Sequence, residues 1–96
     1  MNDLDIKTKL IKCIKDTCAY DEDIKEIDNL KNDLGYDSLE IFSLIFEIEE
    51  AFDITFDSSD LTFENMETVK DLINLIKKTL AYETILFLII KNANLW

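Results

Sequence analysis

The chain contains one glycine and no proline among its 96 residues. Glycine serves where the backbone must turn sharply or adopt a positive φ. That residue is Gly35, which lies in the stretch Asp-Leu-Gly-Tyr-Asp-Ser-Leu, residues 33–39. The sequence therefore predicts a defined turn at Gly35, around which the rest of the chain is organised.

The residues that follow this turn have the pattern of a helix start. Asp37 is a good N-cap, and Glu40 stands three residues further on, which is a capping-box arrangement. Ser38 becomes the first residue of the helix. Its hydroxyl is then presented beside backbone N–H groups and the positive end of the helix dipole, where a phosphate can be held. A simple helix cap would use the same residues.

The longer sequence DLGYDSLEIFSLIFEIEEAFDI, residues 33–54, resembles the acyl carrier protein family. The signature of that family is Asp-Ser-Leu at the start of the second helix, preceded by Leu, Gly and one further residue. The resemblance covers roughly residues 4–80. One position departs from the pattern, because Ser43 stands where fatty-acid carriers often have an acid.

The resemblance implies a covalent cofactor and a carrier function. Ser38 would bear a 4′-phosphopantetheine arm through a phosphodiester, with Gly35, Asp37 and Leu39 completing the cofactor-binding motif. The terminal thiol of the arm would hold acyl intermediates as thioesters. The carrier would present them to partner enzymes in fatty-acid, polyketide or other specialised biosynthesis.

Two other functions stay open. An aminoacyl or peptidyl carrier of a nonribosomal-type pathway would use the same serine, although Tyr36-Asp37 and the acidic second helix favour the acyl type. An unmodified helical interaction module would keep the fold. A missing serine would have favoured this module, but Ser38 is present. We expect no enzyme activity, because the chain has no histidine to act as the base of a serine nucleophile and no glycine-rich phosphate loop.

The predicted fold is all-α, a small four-helix bundle of the acyl-carrier type. Apolar residues recur at helical spacing in residues 4–18, 38–52 and 68–80, and a short third helix is expected near residues 58–63. Residues 1–80 form the predicted carrier domain. The apolar positions that we expect in the core of the three main helices are Ile6, Leu10, Cys13, Ile14, Ile41, Leu44, Ile45, Ile48, Phe52, Val69, Leu72, Ile73, Ile76 and Leu80.

A long connection, residues 19–36, joins the first two predicted helices. It is rich in acids, but aliphatic residues interrupt the acids at regular intervals. These residues predict a loop that is held onto the core rather than free in solvent. They are Ile24, Ile27, Leu30 and Leu34.

The second predicted helix carries another apolar strip nearly opposite its core face. Leu39, Phe42 and Phe46 form this strip, and carboxylates flank it. A chain of this size cannot bury a helix on all sides, so the strip predicts an exposed site for partners. The alternative is that loop residues or the C-terminal tail cover it. We call the following residues the docking strip: Leu39, Glu40, Phe42, Phe46, Glu47 and Glu50.

The charge of the chain limits its partners. The net charge is −11, and residues 21–67 alone hold sixteen acids and two lysines. Such a chain does not suit nucleic acid, whose phosphates need positive charge. It suits basic protein surfaces. By the resemblance, the partners are a phosphopantetheinyl transferase and acyl-loading and acyl-processing enzymes with basic docking surfaces.

The cysteines and the N-terminus favour a cytoplasmic protein. Cys13 and Cys18 do not share one helical face, and no second pair completes a zinc site, so we expect reduced thiols and no metal. The residues after Met1 are polar and acidic, which is unlike a signal peptide.

An apolar segment, residues 81–96, lies beyond the family resemblance. It contains six consecutive apolar residues, Ile85–Ile90, too few for the ~20 that span a bilayer, so stable membrane insertion is not expected. The form of the segment stays open: it extends the last helix, folds back as an extra helix, or lies as a strand. Its role stays open as well: it folds back on the domain or pairs in a dimer, it docks a partner, or it contacts a membrane surface.

Overall fold

The computed structural model describes residues 1–18 and 22–93, and these residues form three α-helices. The helices are α1 (Asp3–Thr17), α2 (Ser38–Phe52) and α3 (Val69–Asn92). The connection between α2 and α3 contains two short 3-10 helices, Ser58–Asp60 and Phe63–Met66, where one short helix was predicted. The all-α prediction is confirmed.

Side-chain caps fix the start of each α-helix. The Asn2 side chain accepts a hydrogen bond of 2.9 Å from the Asp5 backbone N–H. Capping boxes begin α2 and α3, with Asp37 and Thr68 as the N-cap residues, and the box at Asp37 is the one that the sequence predicted. Each cap satisfies backbone donors that have no partner within the helix.

The core forms where the apolar faces of the three helices meet. Every predicted core position on α1 and α2 is buried. On α3 the prediction holds for four of five positions, because Leu80 is only partly buried, whereas Leu75 and Thr79 are buried. The apolar face of α3 is therefore wider than its predicted stripe.

The described part of the first connection is held onto this core, as predicted, by three of its four aliphatic residues. Ile24, Leu30 and Leu34 are buried, but Ile27 is 81 % exposed, so the prediction for Ile27 was wrong. A turn explains the difference. The Asp28 N–H donates to the Lys25 carbonyl, and the Lys25 N–H donates to the Asp28 carboxylate. Ile27 lies within that turn.

Backbone hydrogen bonds also join the first connection to the start of α3. The Val69 and Lys70 N–H groups donate to the carbonyls of Asp28 and Glu26, at 3.1 and 2.9 Å. The Leu30 N–H donates to the Glu67 carbonyl at 2.9 Å. The connection therefore satisfies donors in the first turn of α3 and is fixed in place by them.

Helix α3 continues well past residue 80, where the sequence predicted the end of the last family helix. It runs unbroken to Asn92, so residues 81–92 extend the helix and do not fold back on the domain. No glycine or proline interrupts this segment, and a helix that has already formed lengthens at little cost. Among the described residues, no helix is long and apolar enough to cross a membrane.

Candidate functional site

Hydrogen bonds within residues 29–36 build the turn that leads into α2. The Asn29 carbonyl accepts from the N–H groups of Asp33 and Leu34, at 2.9 and 3.1 Å. Gly35 has a φ of +80°, as its type predicted. A side chain there would meet no atom within 4 Å, so the backbone conformation, not space, requires glycine.

Tyr36 anchors the end of this turn to α1. Its side chain is buried, and its hydroxyl donates to the Ile14 carbonyl at 3.2 Å. The same hydroxyl lies 2.6 Å from the Thr17 hydroxyl. Burial raises the pKa of Tyr36 to about 12, an effect that the hydrogen bond with Thr17 partly opposes. This fixed residue stands two positions before Ser38.

Ser38 opens α2 and is exposed. The capping box is formed by two reciprocal bonds: the Glu40 N–H donates to Asp37 Oδ1 at 2.7 Å, and the Asp37 N–H donates to Glu40 Oε1 at 3.1 Å. The N–H groups of Ser38 and Leu39 have no acceptor within the helix. The serine hydroxyl therefore lies at a positively polarised helix end that is open to solvent.

A lysine contacts the serine hydroxyl. Lys31 Nζ lies 3.1 Å from Ser38 Oγ and 5.0 Å from the centre of the Phe63 ring. An ammonium group only donates hydrogen bonds, so the serine oxygen accepts and its own O–H remains to be donated elsewhere. Sequence reasoning missed Lys31 and Phe63. The available signal was that Lys31 is one of only two lysines in the acidic residues 21–67.

The predicted cofactor-binding residues have distinct positions around Ser38. Gly35 makes the turn, Asp37 caps the helix, and Leu39 projects into solvent with 77 % of its surface exposed. Asp37 is therefore engaged in holding the helix start rather than in contact with the serine hydroxyl.

The docking strip is an exposed surface on α2. Phe42 and Phe46 are 38 % and 66 % exposed, and the three carboxylates beside them are also exposed. Neither the connection between α2 and α3 nor the described part of the C-terminal segment buries these side chains. The strip begins at Leu39, directly beside Ser38, so one helix presents both the hydroxyl and the apolar surface.

The described residues offer few other groups that could bind a metal ion or react. They contain no group of three or more acidic, cysteine or histidine side chains arranged to hold a metal ion. Cys13 is buried and Cys18 partly buried, and both are free thiols. Burial is the main reason that the pKa of Cys13 is raised, with the charges of Glu47 and Asp16 adding to it.

Comparisons with known proteins agree on one family. The family described as "Phosphopantetheine attachment site" matches residues 8–76. The chain is 47 % identical to an acyl carrier protein of Desulforapulum autotrophicum over 59 % of this chain and 71 % of the relative. It is 32 % identical to an acyl carrier protein of Syntrophobacter fumaroxidans over 79 % of this chain and 93 % of the relative.

The Tyr36 anchor predicts a measurable pH dependence. Tyr36→Phe removes the hydroxyl and leaves the Ile14 carbonyl without this donor, so the free energy of unfolding at pH 7 should fall by about 1–2 kcal/mol. The raised native pKa stabilises the wild type below the ordinary tyrosine pKa of about 10, and this stability is lost as the pH rises to about 12. The variant should lose less stability over that window.

Urea unfolding at pH 7 and at intervals from pH 9.5 to 11.5 measures both effects. Tyr82→Phe is the matched control, because Tyr82 is exposed. Equal pH slopes for wild type and Tyr36→Phe would contradict the role given to the buried hydroxyl.

Proposed function

The chain belongs to the acyl carrier protein family and is a discrete phosphopantetheine carrier, and we propose that Ser38 is the residue that bears the group. The observation that carries this proposal is the exposed Ser38 hydroxyl at the first residue of α2, inside the matched range. The names of the relatives favour acyl groups over aminoacyl groups as the cargo.

The residues around Ser38 fit a phosphodiester. The hydroxyl is reachable from solvent, the helix end is positively polarised, and Lys31 supplies a cation at hydrogen-bond distance. Attached there, 4′-phosphopantetheine supplies a terminal thiol that carries acyl groups as thioesters. The chain contributes the attachment point, a rigid helix start and a surface for partners, so we propose that it is not itself catalytic.

The proposal also covers the cellular compartment of the protein and the roles of its two segments. The two free thiols support a cytoplasmic protein, because reduced cysteines are typical of that compartment. Residues 1–80 serve as the carrier domain, and the apolar segment 81–96 mediates association between copies of the chain.

Replacing Ser38 tests the attachment site. After incubation with coenzyme A and a broad-specificity phosphopantetheinyl transferase, the wild type should gain the mass of one phosphopantetheinyl group, and Ser38→Ala should gain none. Intact-protein mass spectrometry measures the change. Ser43→Ala is the matched control, since it removes an exposed hydroxyl further along the same helix. Loading of Ser38→Ala, or no loading of the wild type, would refute the proposed site.

We assign Lys31 to hold the phosphate once the group is attached. The ammonium already contacts Ser38 Oγ, and the nearby Phe63 ring favours a cation in that position. A phosphodiester on that oxygen would bring a negative charge next to the ammonium. The pair is exposed to solvent, so its contribution should be modest and sensitive to salt.

Lys31→Met should therefore change the environment of the phosphorus. In the loaded wild type, the ³¹P resonance should shift as salt screens the pair, whereas in Lys31→Met it should barely respond to salt. Lys31→Arg should behave like the wild type, and Lys25→Met is a control for loss of one positive charge nearby in sequence. Identical salt titrations of wild type and Lys31→Met would remove Lys31 from the site.

The docking strip is proposed to bind the basic surfaces of partner enzymes. Its three apolar side chains are exposed beside carboxylates, in the part of the chain where sixteen acids outnumber two lysines. Apolar contact would supply affinity at the centre of the interface, and charge would speed and orient the encounter. The position of the strip next to Ser38 places a docked enzyme near the attachment point.

Phe46→Ala should weaken docking without loss of fold. The side chain is 66 % exposed, so its removal should leave the melting temperature nearly unchanged. Transfer of the phosphopantetheinyl group by limiting transferase should become several-fold less efficient, mainly through KM. Leu4→Ala, an exposed apolar residue on α1, is the matched control. A large loss of helicity in Phe46→Ala would show instead that Phe46 belongs to the core.

A further inference from the structure

The end of α3 carries an apolar surface that the described domain does not cover. We call residues 81–92 the apolar extension. Its six consecutive apolar residues, Ile85–Ile90, are distributed around every side of the helix at about 100° per residue. From Ile85 to Ile89 each side chain is between 43 % and 57 % exposed. A helix that is apolar all round is normally buried, so a half-exposed apolar surface of this kind favours association.

Charge decides which partner suits the apolar extension. The extension itself has one acid and one lysine, Glu83 and Lys91, and is therefore neutral. A helix that lies on a membrane surface usually has several basic residues on its polar face, and this chain carries a net charge of −11 that an anionic surface would repel. A basic protein surface would find the acids it needs on α2 instead. A neutral apolar helix fits another neutral apolar helix.

The positions of the two charges define a particular pairing. Glu83 and Lys91 are eight residues apart, with Phe87 midway between them. All three lie on one row of the helix, because residues four apart are neighbours on its surface. The two charges are about 12 Å apart along the axis, too far to pair within one chain.

We propose that two copies of the chain pair through their apolar extensions as antiparallel helices that cross near Phe87. This arrangement sets Glu83 of one copy against the partner's Lys91, and two-fold symmetry repeats the contact. Leu86 and Ile90 lie on the same side of the helix and fill the space between the charged ends. A parallel pair would instead set like charges against each other. The geometry rests on the proposed self-association of residues 81–96.

Two features of the structure are compatible with this pairing. Glu83 Oε1 accepts a hydrogen bond of 3.4 Å from the Thr55 N–H, a long and solvent-exposed contact that is weaker than a close ion pair with a lysine. The longest dimension of the chain is 49 Å, because α3 projects beyond the bundle. In an antiparallel pair the two domains lie towards opposite ends, which separates their negative charges.

Exchange of the two charges tests the geometry. The full chain is studied by sedimentation velocity from micromolar to millimolar concentration. The wild type should form a reversible dimer, and Leu86→Asp should be monomeric. Glu83→Lys and Lys91→Glu should each weaken dimerisation several-fold, and the double exchange should restore it to within about twofold. Glu64→Lys and Lys12→Glu, exposed residues outside the extension, control for the altered net charge.

Each contrary result has a distinct meaning. A monomer at all concentrations, or a dimer that Leu86→Asp leaves intact, would overturn self-association through the extension. A dimer that neither single exchange weakens, or that the double exchange fails to restore, would overturn the antiparallel geometry alone. Co-sedimentation of the monomer with vesicles of phosphatidylcholine and phosphatidylglycerol, abolished by Leu86→Asp, would assign the extension to membranes instead. Loading of Ser38, measured on the same variants, tests the carrier function independently.

Discussion

The buried hydroxyl of Tyr36 is the contact on which the position of the site depends. It is bonded to α1 at Ile14 and Thr17, while the backbone of the same residue is bonded to the Leu30 carbonyl at 2.9 Å. The next residue is the N-cap of α2. A serine on an exposed helix start would otherwise be held only by a flexible turn, and this anchor ties that turn to the core without covering the hydroxyl. Tyr36 thus supplies rigidity, and Ser38, two residues later, stays accessible to solvent.

The first connection stabilises two helix starts together. Its backbone carbonyls accept from the first turn of α3, and its end forms the turn before α2. Glu26 adds ion pairs to Lys7 and Lys70, at 3.5 and 3.4 Å, and the hydrogen bond from Lys70 is the main reason that the pKa of Glu26 is lowered. These ion pairs are exposed and contribute little to stability. The backbone bonds and the buried aliphatic residues hold the connection.

Periodicity and capping rules predicted most of the fold, because both act within a few residues of sequence. They located α2 to the residue and identified its core face and its exposed strip. Periodicity and capping rules cannot predict features that depend on the path of a connection through space. The turn that exposes Ile27 and the approach of Lys31 to Ser38 both arise from how residues 22–36 cross the bundle. A lysine seven residues before a serine has no fixed spatial relation to it until that path is known.

The length of α3 shows a second kind of limit. Tertiary contacts support its first half, where the core stripe is buried, and the predicted family helix ended where that stripe ended, with an extension left as one of three alternatives. Helix propagation does not stop where burial stops, because adding a residue to a formed helix needs only acceptable propensity. Leu86 and Leu88 suit a helix well, and no glycine or proline opposes it. The unbroken helix α3 therefore projects an apolar surface beyond the domain. This surface is neutral, whereas the rest of the chain is strongly acidic. Contact between two copies is therefore electrostatically acceptable at the end of α3 and unfavourable at the acidic surfaces.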